Sequence, residues 1–272
     1  MEARALAANH GRGTVDDVDA LVAEIYDQIE TSVDDVALIE TLIGERGGLR
    51  ILEPFCGTGR ILLPLAAVGH ELVGLDKSAA MLNRARWKLE QLPADVQQRV
   101  TLIEADVTRE PWPTGFNVVI LGGNCFYELA TPDEQSGCIA SAARAVKPGG
   151  YVYIDNDHME GELDTSWRQP GVTDAFPSGV CSDGTLVEGT METIWFDAPA
   201  RLVRFRRRAR FTLPDGGVIE TEHIQQKHPV STEEVASWLA THGFVVEQLY
   251  GDRVGTTYTD RSERAIFWAR RE

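Results

Sequence analysis

From residue 15 onward, apolar positions recur at helical spacing. Val15, Val18, Val22, Ile25 and Ile29 share one stripe, and Val36, Ile39 and Ile43 repeat it, which predicts two amphipathic helices ended by Gly47-Gly48. The pattern then changes to short apolar runs separated by helix-length amphipathic ones. Strands are predicted at Arg50–Phe55, Glu71–Leu75, Val100–Glu104, Phe116–Leu121 and Gly150–Asp155, with helices at about Arg60–Val68, Ala79–Leu92 and Pro132–Val146. Strands alternating with helices of this length predict a parallel sheet covered on both faces.

After Asp155 the rhythm changes. Leu186–Phe196, Arg201–Leu213 and Val218–His228 are strand-like runs joined by the turn sequences Asp197-Ala198-Pro199-Ala200 and Pro214-Asp215-Gly216-Gly217. Connections this short make antiparallel neighbours, so a three-stranded meander is expected as an insertion. Ser231 with Glu234 reads as a capping box opening a helix to His242, and Gly243 stops it. Phe244–Tyr250 and Arg264–Ala269 are two last strands. The expected divisions are an N-terminal helical cap over 1–48, an α/β domain over 49–158 and 229–272, and an inserted antiparallel β cap over 159–228 on the substrate side.

Composition changes this picture little, and the placement of charge changes it more. The 272 residues are 43% hydrophobic and 25% charged, an ordinary globular balance, with a formal net charge of −16. Ten acids and no Lys or Arg lie between Gly13 and Glu45, whereas Arg201–Arg210 carries six arginines and no acid. Arg204, Arg206, Arg208 and Arg210 fall on one strand face, which is either a solvated face or a surface for an acidic partner. The charge sets a homo-oligomer as one option for that partner and argues against nucleic acid, whose phosphates need a basic surface. No apolar run approaches the roughly 20 residues of a membrane span. The opening MEARALAANHGRG has no apolar leader core, and the four cysteines form no CxxC pair, so reduced thiols and a cytoplasmic setting are expected.

Candidate chemistry concentrates at Glu53-Pro54-Phe55-Cys56-Gly57-Thr58-Gly59-Arg60, where a strand enters, two glycines turn and a helix leaves. The third glycine of a dinucleotide loop is replaced by Leu62, and no Lys-Ser/Thr follows, so a polyphosphate is not the expected ligand. Glu53, Asp76 and Asp106 fall at or just beyond the C-terminal ends of the first three strands. In a parallel sheet those ends line the ligand crevice. Asp76 suits ribose hydroxyls, Asp106 an adenine amino group, and Glu53 a ligand bearing an ammonium and a sulfonium. The plainer alternative for each is a solvated loop acid.

These residues resemble the class I S-adenosylmethionine-dependent methyltransferases. Glu53–Gly59 is similar to their acidic-x-x-x-Gly-x-Gly motif, Asp76 to the acid of motif II, and Pro148-Gly149-Gly150 to the Pro-Gly-Gly before strand five. The likeness covers about residues 49–156, and Phe244–Ala269 is similar to the family's reversed last strands. It implies a Rossmann-like, doubly wound, seven-stranded and mainly parallel sheet with a reversed C-terminal hairpin. S-Adenosylmethionine is the implied cofactor, held by Glu53, Cys56, Gly57, Thr58, Gly59 and Arg60, by Asp76, Lys77 and Met81, by Asp106 and Val107, and by Gly122 and Asn124. No metal is implied.

Within that family the chain resembles the glycine N-methyltransferase-like branch of small-molecule enzymes. Leu121-Gly122-Gly123-Asn124-Cys125-Phe126 is similar to that branch's Leu-Gly-Asn-Ser-Phe, and Val152–Asp155 to its Val-Ile-Asp. Where the branch places an arginine for an amino-acid carboxylate, this chain has Asp157, which points away from glycine and toward a cationic or polyhydroxylated acceptor. Tyr127, Asp155 and Asp157 are the expected acceptor contacts. His158, Asn124, Tyr26 and His228 are the catalytic candidates, with His158 the first choice of general base because its ordinary pKa lies near 6.5. An exposed loop residue is the alternative for His158, and a core tyrosine for Tyr26. N-Methylation of a small molecule is favoured on the branch resemblance. O-Methylation, a nicotinamide-dependent oxidoreductase and a non-catalytic cofactor-binding subunit are the other readings.

Overall fold

The structure, a computed structural model, describes residues 4–5 and 15–272. Residues 1–3 and 6–14 of the expected cap lie outside the described residues. In chain order the elements are β1 (Arg4–Ala5), α1 (Val15–Ile29), α2 (Asp34–Ile43), β2 (Arg50–Pro54), α3 (Leu62–Ala67), β3 (Glu71–Asp76), α4 (Ala79–Glu90), α5 (Ala94–Gln97), β4 (Val100–Glu104), β5 (Phe116–Leu121), α6 (Pro132–Ala145) and β6 (Val146–Asp157). They continue with α7 (Thr165–Arg168), β7 (Thr173–Val180), β8 (Leu186–Asp197), β9 (Leu202–Thr212), β10 (Val218–Lys227), α8 (Thr232–Thr241), β11 (Phe244–Tyr250) and β12 (Arg264–Arg271). The helix starts are chemically defined. Ser78 accepts from the Met81 N–H at 3.3 Å, Thr131 from the Glu134 N–H at 3.2 Å, and Ser231 and Glu234 form the expected capping box.

The chain divides into two units, Ser32–Glu160 with Val230–Glu272, and Met1–Thr31 with Gly161–Pro229. The first is built on a seven-stranded sheet of order β11-β12-β6-β5-β2-β3-β4. Strands β4, β3, β2, β5 and β6 run parallel, and β12 and β11 are antiparallel, so the doubly wound sheet with a reversed hairpin is present. One face buries Ile51, Val118, Ile120, Tyr153, Ile266 and Trp268 against Val36, Ile39 and Ile43 of α2 and Leu62, Leu65 and Ala66 of α3. On the other side α6 lies against β5 and β6, and α8 against β11. Burying side chains of this size contributes about 1.5–3 kcal/mol each before conformational entropy is subtracted.

The second unit carries an antiparallel sheet of order β1-β10-β9-β8-β7. It has five strands where a meander of three was expected. β7 escaped the pattern because Pro177 and a register shift between Ala175 and Ser178 interrupt its alternation, and β1 is only two residues long. Helix α1 belongs to this unit. Its Val18 and Ile25 share a core with Cys181, Val187 and Phe211, and Gly179 leaves room for Ile25, whose Cδ1 would sit 2.8 Å from a Cβ at that position. The arginine face of β9 meets its acidic partners within the sheet. Arg206 pairs with Glu192 at 3.1 Å, Arg208 with Glu222 at 2.8 Å and Arg210 with Glu220 at 3.3 Å. The glutamates stand on the flanking strands β8 and β10, which makes this a cross-strand ion ladder.

One glycine links strand packing to the glycine turn. Gly74 lies in β3 opposite Glu53, and a Cβ there would fall 2.6 Å from Leu62 Cδ1 and 2.7 Å from Cys56 Sγ, both buried. Gly74→Ala should therefore destabilise the protein by about 1–3 kcal/mol through overpacking. A urea midpoint equal to wild type would contradict this account of the packing beneath the turn.

Candidate active site

The order of the seven-stranded sheet reverses between β2 and β5: the chain runs outward through β3 and β4 on one side and through β5 and β6 on the other. Such a switch point opens a crevice at the strand C-termini. Both loops that bound it carry backbone in the left-handed region. Phe55 (φ 62°), Gly57 (φ 52°) and Gly59 (φ 78°) alternate into the left-handed region after β2, and Asn124 (φ 64°) does so after β5. Apart from Arg201, Phe55 and Asn124 are the only non-glycine residues with positive φ among the described residues. No heavy atom lies within 4 Å of the position a Cβ would take on Gly57, so the turn is open there to an approaching ligand.

Asp76, the last residue of β3, holds the turn: its Oδ2 accepts from the Gly57 N–H at 2.9 Å and its Oδ1 from the Ser78 N–H at 2.8 Å. Cys56 is buried, and Thr58 is buried beside Lys88, whose Nζ donates to its hydroxyl at 2.9 Å. Gly122 directly follows β5, and a side chain there would meet Ile61 Cδ1 at 2.5 Å, so the two loops touch only because this residue is glycine. Asp106, two residues beyond β4, accepts from the Thr108 hydroxyl at 2.7 Å and backbone N–H at 3.0 Å, which holds its carboxyl below the usual range. Val107 is buried, Met81 is half-buried in the first turn of α4, and Lys77 is exposed.

Glu53 is the group whose environment most clearly points to a ligand. It is 4% exposed at the end of β2, and its Oε2 has no hydrogen-bond partner. Burial pushes its carboxyl well above the ordinary value, Arg60 opposes that, and Asp35 and Asp76 add to it. An enclosed carboxylate with an unpartnered oxygen costs free energy until a donor or cation meets it. A ligand with an ammonium or sulfonium, entering over Gly57, fits both this oxygen and the open turn.

Beside Glu53 runs a chain of enclosed ion pairs. Asp35 of α2, with no exposed surface, takes Arg60 Nη1 at 2.8 Å and Nη2 at 2.5 Å, and Arg253 Nη2 lies 3.7 Å away. Arg253 Nε donates to Asp155 Oδ2 at 3.0 Å, and Arg264 reaches Asp155 Oδ1 and Asp157 Oδ1, each at 2.6 Å. Asn124 joins the chain by accepting from Arg264 at 2.8 Å and donating to Asp157 Oδ2 at 3.0 Å. The Tyr127 hydroxyl donates to the same oxygen at 3.3 Å, and burial together with Asp157 keeps that phenol protonated far above its ordinary range. Asp155 is thus fully enclosed and satisfied internally, and Asp157 has both oxygens engaged within the protein.

His158 follows Asp157. Its Nδ1 lies 3.2 Å from the Tyr258 hydroxyl, and the two rings stack at 5.6 Å. Of the other catalytic candidates, Tyr26 lies half-buried on α1 and His228 is buried after β10, both in the unit that holds the five-stranded sheet. Burial raises the thiols of Cys56 and Cys125, which keeps both in the unreactive protonated form. Sequence reasoning missed Asp35, Arg253, Arg264 and Tyr258. One signal was present: Asp35 stands four residues before Ile39, on the apolar stripe of α2, where an acid needs a partner.

Two outcomes follow. Arg264→Ala leaves Asp155 buried with one of its two guanidinium partners and should cost about 3–5 kcal/mol in urea unfolding; a change within 1 kcal/mol would refute the pairing. For Glu53, the folded carboxyl titrates above the unfolded one, so its contribution is intact at acid pH and is lost as pH rises through the folded value. Glu53→Gln should therefore raise the Tm of the ligand-free protein at pH 8, with a gain that shrinks toward pH 5. A lower Tm than wild type at pH 8 would overturn the reading of Glu53 as an unsatisfied acid.

Comparison with known proteins agrees with this geometry. The model of a family described as a methyltransferase domain matches residues 51–150, from β2 into β6. A Bacillus subtilis protein named as a methyltransferase, YqeM, is 24% identical over 86% of this chain and 87% of its own. Glycine N-methyltransferase of Rattus norvegicus is 30% identical over 53% of this chain, which spans about half (52%) of that enzyme's length. The sugar N-methyltransferase KedS8 from a Streptoalloteichus species superposes with a TM-score of 0.69 at 19% identity, covering 98% of this chain and 96% of its own. No helix of the described residues is long and apolar enough to cross a membrane. With the glycine turn at the switch point, the acids at the strand ends and the reversed hairpin, residues 51–150 are a methyltransferase domain of the class I S-adenosylmethionine-dependent kind.

Proposed function

We propose that this enzyme methylates the nitrogen of a small amine-bearing molecule. The observation that carries the reading is the fixed imidazole of His158 at the C-terminal end of β6, one residue beyond the Asp157–Asn124 pair that closes the loop after β5. A small amine needs one proton removed before its lone pair is free, and an imidazole nitrogen with a lone pair can take it. An alcohol would demand a stronger base. That solved sugar N-methyltransferase structures and glycine N-methyltransferase are among the similar proteins supports the same choice.

The cofactor, when bound, supplies a methyl group on a sulfonium. On this chain Glu53 would meet its cationic end, Asp76 its ribose hydroxyls and Asp106 its adenine amino group, with Gly57 leaving the backbone accessible. Catalysis then rests mainly on alignment of the reacting atoms, because proximity supplies much of the rate in such a displacement. The acceptor class follows from Arg264. Its guanidinium is tied to Asp155, Asp157 and Asn124, so it is not available for an amino-acid carboxylate. A hydroxylated amine without a carboxylate, of which an amino sugar is one kind, suits these surroundings better than glycine.

A methyl-transfer screen with radiolabelled cofactor over amino sugars, simple amines, amino acids and phenols tests the proposal. Label is expected in an amine lacking a carboxylate. Label confined to phenols or alcohols would replace N- by O-methylation. Calorimetry should show S-adenosylhomocysteine binding weakened at least about tenfold by Asp76→Ala, the usual effect of losing hydrogen bonds to a charged group. Undiminished affinity in that variant would displace the assigned ribose contact.

A further inference from the structure

The His158 imidazole does not stand alone. Its Nδ1 is 3.2 Å from the Tyr258 hydroxyl, and that hydroxyl is 3.0 Å from Thr232 Oγ1 in the first turn of α8. The stacked rings, 23° from parallel, fix the plane in which the imidazole lies, and the His158 N–H donates to the Glu263 carbonyl at 2.8 Å, which fixes its backbone. The Thr232 N–H donates to Glu160. Three elements therefore converge on one ring: the end of β6, the segment before β12 and the start of α8.

A neutral imidazole carries its proton on one nitrogen, and the partner of that nitrogen decides which. Two arrangements satisfy the three heavy atoms. In one, Nδ1–H donates to Tyr258 and Tyr258 donates to Thr232. In the other, Thr232 donates to Tyr258 and Tyr258 donates to a bare Nδ1. The carboxylates of Glu160 and Asp260 make the potential at the Tyr258 hydroxyl negative; burial is the larger cause of its raised pKa, the Thr232 hydrogen bond opposes it, and the two carboxylates add to it. That field favours the ring dipole with its hydrogen turned toward Tyr258, which is the first arrangement.

We propose that Tyr258 and Thr232 are positioning residues that hold His158 as its Nδ1–H tautomer, leaving the Nε2 lone pair directed at the acceptor. The inference rests on the N-methylation reading for its consequence. The Nε2 lone pair takes a proton from the acceptor's ammonium group, the amine is left with a free electron pair, and the imidazolium later returns the proton to solvent. Without the tyrosine, the majority form of a solvated neutral histidine, Nε2–H, has no lone pair at the nitrogen that must accept.

The test reads the tautomer directly and needs no acceptor. Long-range proton–nitrogen NMR spectra of the full chain, with His158 assigned by His158→Gln, should show a protonated-type Nδ1 and a bare Nε2 in the neutral ring. Tyr258→Phe should move the majority to Nε2–H, and Thr232→Val, which keeps the tyrosine ring, should move it part of the way. A wild-type ring in the Nε2–H form, or a ring unchanged in Tyr258→Phe, overturns the proposal. If Tyr258→Phe does not fold, Thr232→Val carries the same decision. With an amine found in the screen, Tyr258→Phe should lower kcat at least about tenfold with KM little changed, the effect of a disabled base rather than of lost binding. A KM rise at constant kcat would contradict it. If no amine accepts label, the N-methylation reading fails, while the tautomer measurement still decides the role of Tyr258.

Discussion

A carboxylate with no exposed surface at the end of a central strand is the constraint around which the candidate active site is arranged. Asp155 is tolerable there only because Arg253 and Arg264 both reach it, and those guanidiniums are in turn shared with Asp35 and Asp157. With Arg60 the cluster holds three carboxylates and three guanidiniums, so its charges balance. Enclosing Asp35 and Asp155 is expensive, and the attraction of the guanidiniums offsets this only if every partner is in place. What such a cluster offers is specificity of arrangement. It binds α2, the glycine turn through Arg60, the loop after β5 through Asn124, and the reversed hairpin into one geometry.

This explains why the acids near the crevice have different characters. Asp155 and Asp157 are satisfied within the protein, and Asp76 is engaged by two backbone amides of the turn it supports. Glu53 alone among them keeps an enclosed oxygen without a partner. The protein thus holds its structural carboxylates partnered and leaves Glu53 Oε2 enclosed without a donor beside the open glycine turn. The strained backbone at Phe55 and Asn124 fits the same division, since each turns the chain sharply at a loop whose far side is fixed by the ion cluster.

Most of the α/β fold could be read from periodicity and turn chemistry, because those signals are local. β4, β5 and β11 lie where the alternation placed them, and the Ser231 capping box is formed as its spacing implied. The glycine turn and its acids were also legible, since strand ends are local features and their convergence follows from a parallel sheet. What was not legible depends on register and on pairing between distant segments. Arg264 stands opposite Asp157 because β12 runs antiparallel to β6, and nothing in the thirteen-residue stretch from Gly251 to Glu263 specifies that alignment. Tyr258 is hidden in the same stretch. β7 was missed for a local reason: its proline and bulge remove the alternation by which strands are found.

The acidity of the chain also reads differently at the level of individual groups. The acids between Gly13 and Glu45 do not share one environment. In the structure Asp35 is wholly buried in an ion cluster beside the glycine turn, whereas Glu24 accepts from the Ser182 N–H at 2.5 Å in the unit of the five-stranded sheet. The six arginines of the β9 segment likewise find several of their counter-charges on neighbouring strands rather than on a substrate. A net charge of −16 is therefore uninformative about the acceptor. The proposal of an amine without a carboxylate rests instead on a single guanidinium, that of Arg264, whose donors are already engaged by Asp155, Asp157 and Asn124.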